Sequence, residues 1–383
     1  MSPSKQPLAS GTMRAIGIPD GKYGPPENLE CQEVPRLGKP PGRWIKVSVK
    51  AISVNPIDIK IRGGTYDDTP NYYDVVRTIN PYLSNFHAMG GDVAGIVTEL
   101  GPEASLFKVG DEIYGVGSAV RWGTYAEEAI IDETKAAIKP KSLDWTQSAA
   151  MPLTYNTAYE SIVERLEAKK GDKAGILIIN GGGGVGAVAI QIARHILKLP
   201  VVIATCSRPE TFELAKAMGA THLVNHREDI VPQIAALNLP DDVPLRYAYI
   251  TSRTEQYIHP VAEVLAPFGK VCSVVQAHFD MYGSKFMSKS LTFSWCWLGT
   301  EPFYRHYTSM ASKGGWSYPE MHHEWLTELA KLIDEGVVKP HLTKRLRLSL
   351  KNIIEAHRLV ESGTSFGKIA LGVEDEGEGE AFT

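Results

Sequence analysis

The apolar positions change rhythm along the chain. Up to about residue 150 they come in short runs punctuated by Gly and Pro, at Trp44–Ser53, Gly95–Leu100, Glu112–Val116 and Tyr125–Ile131. Runs of this kind predict the strands of a β-rich, barrel-like unit. From Ser148 the pattern alternates. It predicts a helix over Asn156–Leu166, a strand over Ile176–Ile179, a helix over Gly186–Leu197, a strand over Val201–Thr205, a helix over Pro209–Met218 and a short strand at His222–Val224. Two more apolar strands follow at Tyr247–Thr251 and Lys270–Val275, the second preceded by a helix at Ile258–Leu265. Strands alternating with helices predict an α/β fold with a doubly wound parallel sheet. Beyond Thr292, helices at Met321–Glu335 and Leu350–Ser362 flank Lys344–Leu348, and a strand at Lys368–Val373 comes last. The chain is therefore expected to leave a first domain, residues 1–150, build a second over 151–300, and return to the first over 301–383. The aromatic residues Trp295, Trp297, Phe303, Tyr304 and Tyr307 read as core or dimer packing in preference to a substrate wall.

One segment carries specific chemistry. ILIINGGGGVGAVAIQIAR, Ile176 to Arg194, is an apolar strand, a glycine run and an amphipathic helix. Gly181, Gly183 and Gly186 meet the G-x-G-x-x-G template of dinucleotide sites. Gly181 is read as allowing the tight turn, Gly183 as letting backbone N–H groups approach the phosphates, and Gly186 as permitting close helix-to-strand packing. The helix N-terminus favours the negative charge. With Gly184 and Val185 these form the candidate phosphate cradle, and a plain structural βα turn is the competing reading. The next strand ends in Ser207 and Arg208, where NAD-binding units carry a carboxylate for the ribose. A hydroxyl followed by a guanidinium suits a 2′-phosphate and predicts NADPH. Against this, Arg208 is a surface residue starting a helix, or Glu210 serves the ribose. His226 either faces the adenine ribose or is a loop histidine. Thr251 and Val275 lie at carboxyl ends of predicted strands, where open α/β sheets bind ligands.

Composition narrows the partners. Forty basic and forty-four acidic residues give a net charge of −4 over 383 residues, so nothing marks a nucleic-acid or anionic-membrane binder, and a small molecule is the expected partner. Cys31, Cys206, Cys272 and Cys296 form no C-x-x-C pair or zinc cluster and are expected to stay reduced. No apolar run of about 18 residues and no signal-like N-terminus occurs, so a cytoplasmic location is expected. The acidic EDEGEGEAFT at the C-terminal end reads as a solvated tail.

A wider set of segments carries a family resemblance. These are AISVNPIDIKIRGG (Ala51–Gly64), GGDVAGIV (Gly90–Val97), KVGDEIYG (Lys108–Gly115), GTYAEEAII (Gly123–Ile131), AAMPLTYNTAYESI (Ala149–Ile162), the glycine segment, LAKAMGATHLVNHRED (Leu214–Asp229) and LAPFGKVCSV (Leu265–Val274). In this order they resemble the medium-chain dehydrogenase/reductase superfamily, in its quinone oxidoreductase-like branch, and more narrowly the zinc-type alcohol dehydrogenase-like proteins. The resemblance implies a GroES-like β-rich catalytic domain built from both chain ends and a Rossmann domain between them. It also implies a homodimer joined at the outer strand of the Rossmann sheet, at Lys270–Val275 or Ser290–Leu298.

Zinc alcohol dehydrogenases of that superfamily place a cysteine in the first motif, Gly-His-Glu in the second and four close cysteines in a structural lobe. This chain has Asn55 and Asp58 with no cysteine in the first, Gly91-Asp92 in the second, and no structural cysteines. Zinc prefers thiolate and imidazole, so no metal is expected. By resemblance, Asn55, Lys60 and Tyr66 line the substrate cleft. Lys60 either donates to a developing enolate or phenolate or is an exposed strand-end lysine; Asn55 either holds an amide or ring nitrogen or forms an ordinary Asn-Pro turn; Tyr66 is a candidate proton donor beside solvent relay. The resemblance further places Thr154 and Thr157 near the nicotinamide, with helix capping as the alternative for Thr157, and Lys368 at the cofactor phosphates. The leading expectation is NADPH-dependent hydride transfer to a quinone or to the β-carbon of an enone or enal. Its rivals are a trans-acting enoyl reductase working on an enoyl thioester, and a nucleotide-binding protein without turnover.

Overall fold

The computed structural model describes residues 11–19, 22–64, 86–117, 123–300, 321–375 and 380–382. The chain divides into two units, one of Met1–Leu153, Tyr307–Gly336 and Leu342–Thr383, the other of Thr154–His306 and Val337–His341. The first opens with strands β1 (Thr12–Pro19), β2 (Glu30–Pro35) and β3 (Trp44–Val54), helix α1 (Pro56–Gly63), strands β4 (Phe86–Ala88), β5 (Asp92–Leu100), β6 (Glu112–Val116), β7 (Glu128–Asp132) and β8 (Ala136–Ile138), and helix α2 (Trp145–Ala149).

Helix α3 (Pro152–Tyr159) leads into the second unit and continues as a π-helical stretch to Arg165. There follow β9 (Gly175–Ile179), α4 (Gly184–Gln191), β10 (Val201–Cys206), α5 (Pro209–Ala217), β11 (His222–Asn225), α6 (Ile230–Ala235), β12 (Leu245–Ile250), α7 (Thr254–Val264), β13 (Lys270–Ser273), α8 (Lys285–Ser288) and β14 (Thr292–Trp295). The chain then returns to the first unit with α9 (Met321–Asp334), β15 (Leu342–Arg347), α10 (Leu350–Glu361) and β16 (Lys368–Gly372).

The second unit is a parallel six-stranded sheet in the order β11-β10-β9-β12-β13-β14. Every residue of β9 and β10 is buried, as a parallel sheet covered on both faces requires. This is the doubly wound Rossmann fold. Strand β13 pairs on both sides, so Lys270–Val275 is not the sheet edge; among the described residues β14, within Ser290–Leu298, is. Trp295 on that edge packs against Phe293 and Phe279 while staying half exposed. Phe303, Tyr304 and Tyr307 lie outside the described residues.

The first unit carries a three-stranded sheet, β2-β1-β4, and a larger one in the order β15-β16-β3-β5-β6-β8 with β7 on β3. The register Ile369↔Val54 lays the last strand along the end of β3, so Lys368 comes beside the residues that open α1. That proximity is tertiary and shapes the site below. The sequence Ala51–Gly64 holds a helix as well as a strand. Pro56 fits the first helical turn because its missing N–H is one the helix leaves unbonded anyway, and Gly64 closes the helix at φ 69°. The C-terminal stretch is not wholly solvated: Phe382 is buried, and its N–H donates to Leu348 O at 2.9 Å. Among the described residues no helix is long and apolar enough to cross a membrane.

Candidate functional site

In the second unit the chain moves outward from β9 through β10 to β11, then crosses to β12. Strand order reverses between β9 and β12, and the crevice beyond their carboxyl ends is where such sheets bind ligands. The turn assigned to Gly181 is made by Asn180, which takes the left-handed conformation at φ 60°. Gly181 serves close approach instead: a Cβ there would lie 2.6 Å from Ala204 Cβ. At Gly186 a Cβ would lie 2.2 Å from Asn180 O and 2.8 Å from Gly181 Cα, backbone atoms that have nowhere to retreat. Gly182, not singled out from the sequence, sits equally tight against Thr211. Gly183 is the N-cap of α4, and its carbonyl accepts the first intrahelical bond, from Ala187 N at 2.9 Å. The N–H groups of Gly184, Val185 and Gly186 belong to the first turn, which has no intrahelical acceptors. A bare, cationic-ended cradle of this kind fits the pyrophosphate of a dinucleotide.

The other strand ends are tied together by side chains. Thr205 Oγ1 accepts from Asn180 N at 2.8 Å and lies 3.1 Å from His226 Nδ1. Burial, helped by Arg253 and Arg227, holds His226 below the ordinary imidazole range. Thr251 Oγ1 donates to Ile179 O at 2.8 Å, joining β12 to β9 at the reversal point. Val275 N donates to Ser273 Oγ, and Val275 O accepts from Thr254 Oγ1. Ser207 N and Arg208 N both donate to Thr211 Oγ1, and the Arg208 guanidinium pairs with Glu210 at 3.1 Å. Glu210, the alternative ribose ligand, is thus engaged by the arginine. On α3, buried Thr154 places Oγ1 3.4 Å from His341 Nε2. Because α3 begins at Pro152, Thr157 lies inside the helix and does not cap it.

The first unit holds a buried polar cluster at the join of β3 and α1. Asn55 is fully buried; its Nδ2 donates to Asp92 Oδ2 at 2.7 Å, and its Oδ1 accepts from Lys368 Nζ at 2.6 Å. Both ends of its amide are thereby bonded within the protein. Asp92 also accepts from Ser53 Oγ and from Leu153 N. Lys368 donates further to Val54 O at 2.8 Å and stands 3.7 Å from Asp92 Oδ2. β16 pairing with β3 buries the Lys368 ammonium at this join. Lys60 lies on α1, not at a strand end, is half-buried, and is held below the usual lysine range by desolvation. Tyr66 lies outside the described residues.

Asp58, one helical turn into α1, accepts from Asn55 N at 2.8 Å and from Tyr125 Oη at 3.2 Å. Burial pushes its carboxyl up to about 7, opposed in part by the Asn55 N–H and the Lys368 charge. Tyr125 Oη lies 3.4 Å from His357 Nε2, and burial keeps that imidazole down at about 3. In the sequence Asp58 stands out only for the absence of a neighbouring cysteine, and Tyr125, His357 and Thr205 carry no site signal. Each reaches its partner through strand pairing or helix packing that no local pattern records.

Zinc does not suit this set. Its donors are an amide already bonded at both ends, two carboxylates, two hydroxyls and a single imidazole, with an ammonium alongside and no thiolate, while zinc favours several thiolate and imidazole ligands together. Among the described residues no group of three or more His, Cys, Asp or Glu is placed to hold a metal.

With this geometry in view, comparison with known proteins defines the class. Residues 41–141 match the alcohol dehydrogenase GroES-like domain, and residues 218–371 match the domain described as zinc-binding dehydrogenase. The chain belongs to the medium-chain dehydrogenase/reductase superfamily, a family of oxidoreductases that use a nicotinamide cofactor. It is 31% identical over 336 residues to a zinc-type alcohol dehydrogenase-like protein of Staphylococcus aureus (strain COL), covering 86% of this chain and 90% of the relative. It is 26% identical over 386 residues to the 2-methylene-furan-3-one reductase of Solanum lycopersicum, covering 97% and 84%. Among solved structures, the Escherichia coli quinone oxidoreductase complexed with NADPH superposes with a TM-score of 0.73 at 26% identity, covering 94% of this chain and 99% of that one.

Proposed function

We propose that the protein is an NADPH-dependent, zinc-independent reductase that transfers hydride to a quinone or to the β-carbon of an α,β-unsaturated carbonyl. The observation that carries the reading is the carboxyl end of β10. There the guanidinium of Arg208 follows Ser207 and is held by Glu210, in the place where NAD-binding sheets carry a ribose carboxylate. An arginine there offers charge-assisted bonds to a 2′-phosphate. Two relatives support the chemistry: one is named for reduction of a methylene-furanone, the other is a quinone oxidoreductase seen with NADPH.

When bound, the nicotinamide supplies the hydride; the chain's own residues supply position and charge. The first turn of α4 holds the pyrophosphate, and Thr251 and Val275 border the crevice at the strand ends. Thr154 and Thr157 on α3 are assigned to the nicotinamide end. Lys60, an ammonium made easier to deprotonate by its burial, serves as electrophilic partner for the oxygen on which charge develops. Asn55 and Lys368 fix the join of β3 and α1. The test is anaerobic mixing of the protein with NADPH or NADH and a panel of quinones, enones and enoyl thioesters, followed at the nicotinamide absorbance. Oxidation of NADPH by quinones or enones, at least about tenfold faster than of NADH, is expected. No oxidation above the enzyme-free rate with any acceptor would overturn the reading. Activity confined to enoyl thioesters would replace it.

A further inference from the structure

Reduction of an enone or quinone consumes a proton as well as a hydride, and the first unit holds a connected set of buried groups suited to provide it. Asp58 is 1% exposed, and Tyr125 and His357 are both 0% exposed. Tyr125 Oη donates to Asp58 Oδ2 at 3.2 Å and lies 3.4 Å from His357 Nε2. Because Tyr125 spends its proton on the carboxylate, its oxygen accepts from Nε2–H, which fixes the His357 tautomer and leaves Nδ1 as an acceptor. His357 Nδ1 is buried and has no hydrogen-bond partner. Asp58 Oδ2 receives two bonds, from Asn55 N and Tyr125, so the proton of a neutral Asp58 resides on Oδ1. That oxygen faces Gly91, where an added Cβ would stand 3.7 Å away.

We propose that Asp58, Tyr125 and His357 form a proton relay for the reduction, with Asp58 delivering a proton from Oδ1 and the tyrosine and histidine replacing it. This rests on the reductase reading above. The Oδ1–H bond breaks as the proton passes to the reduced acceptor. The Tyr125 O–H proton then moves to Asp58 Oδ2, the His357 Nε2–H proton moves to Tyr125 Oη, and Nδ1 takes a proton from the solvent side. One proton leaves at Asp58 and one enters at His357, so no charge accumulates; rotation of the O–H groups and tautomer exchange restore the start. At the far end lies Arg62 on α1, buried, with Nε and Nη1 lacking partners and Nη2 donating at 2.8 Å to Glu361, whose side chain is half exposed.

The electrostatics support this division of labour. Burial takes Tyr125 well above the phenol range and His357 down to about 3, so both stay neutral and move protons without charging. Asp58, pushed up to about 7, is the member that exchanges its proton near neutrality. The charged groups bearing on it are Asp92, which raises it, and Lys368, which lowers it; Arg62 bears on His357, and the remaining ionisable groups of α1 and α10 are Lys60, Lys351, Glu355, Arg358 and Glu361.

The test is rapid mixing of excess NADPH and 3-penten-2-one with the full-length protein, its Tyr125→Phe, His357→Gln and Asp58→Asn variants, and Asp58→Glu as the conservative control. The wild type is expected to turn over with a linear time course. Tyr125→Phe and His357→Gln should each show a burst of one NADPH per site at the wild-type rate, then a steady rate at least about tenfold slower, because Asp58 discharges once and refills slowly. Asp58→Asn should lose the burst and Asp58→Glu should regain it. Thermal melts identify any variant that does not fold, and either relay variant suffices. Linear wild-type-like progress in a folded Tyr125→Phe or His357→Gln variant overturns the relay while leaving the reductase intact. Failure of the wild type to oxidise NADPH with any acceptor overturns the reading beneath it.

Discussion

Replacing Lys368 with methionine tests whether a charge pair organises the join of β3 and α1. The ammonium has three partners: Asn55 Oδ1 at 2.6 Å, Val54 O at 2.8 Å and Asp92 Oδ2 at 3.7 Å. Lys368 is 3% exposed and Asp92 0%, so water does not take over when the ammonium goes. With an effective dielectric of about 20, charges at 3.7 Å attract by roughly 4 kcal/mol, set against a desolvation cost of several kcal/mol per ion. Methionine keeps most of the stem's packing but leaves two buried acceptors unpaired, at about 1–3 kcal/mol each, and a carboxylate without its counter-charge. Ser53, Asn55 and Leu153 still donate to Asp92, which limits the damage. The expected loss is about 3–5 kcal/mol, read as a lowered denaturant midpoint at unchanged slope. Combining Lys368→Met with Asp92→Asn removes both charges, so the double variant should lose less than the sum of the singles by at least about 1 kcal/mol. A loss below about 1 kcal/mol for Lys368→Met, or simple additivity in the double variant, would refute the reasoning.

Four further outcomes follow from the same geometry. Gly186→Ala forces a Cβ to within 2.2 Å of Asn180 O and should cost about 1–3 kcal/mol of stability and at least about tenfold in NADPH affinity, measured by melting and by nicotinamide fluorescence; Val185→Ala should do neither. Arg208→Ala should weaken NADPH by about 10–100-fold and leave NADH within about twofold, in line with the loss of charge-assisted bonds worth about 1.5–3 kcal/mol, and equal effects on both cofactors would count against the 2′-phosphate contact. Asp58 holds its proton up to about 7 in the fold, whereas a free carboxyl releases it near 3.8. Its contribution to stability is thus complete below about pH 4 and lost as pH rises through about 7, so wild type minus Asp58→Asn stability should fall across that window by on the order of 4 kcal/mol, and a flat difference in urea midpoints would contradict the shift. Asn156 is fully buried with neither Oδ1 nor Nδ2 bonded, so Asn156→Leu should raise stability by about 1–3 kcal/mol without changing NADPH affinity.

Local chemistry and the order of elements are legible in the chain alone. Apolar runs bounded by Gly and Pro located most strands, and the strand-glycine-helix segment at Ile176–Arg194 located the reversal point of the sheet, because both depend on neighbours within a few residues. Even there a local misreading survived. Glycine is the usual residue for a left-handed turn, yet Asn180 makes it, and Gly181 is small because Ala204 of the neighbouring strand presses on it. The helix α1 is hidden by its shortness and by the β-branched run before it, so a strand end stands as one of the two readings of Lys60.

Which distant residues share a partner follows from packing. Lys368 reaches Asn55 and Asp92 because β16 pairs with β3, across a separation of more than three hundred residues. His357 reaches Tyr125, and through it Asp58, because α10 packs its buried face, which includes Asn352, Ile353 and Ala356, onto the first unit. Periodicity marks a residue as inward-facing but is silent about what it faces. Burial then sets the proton affinities of Asp58 and His357, and burial is a property of the packed fold, not of either residue's neighbours in the chain.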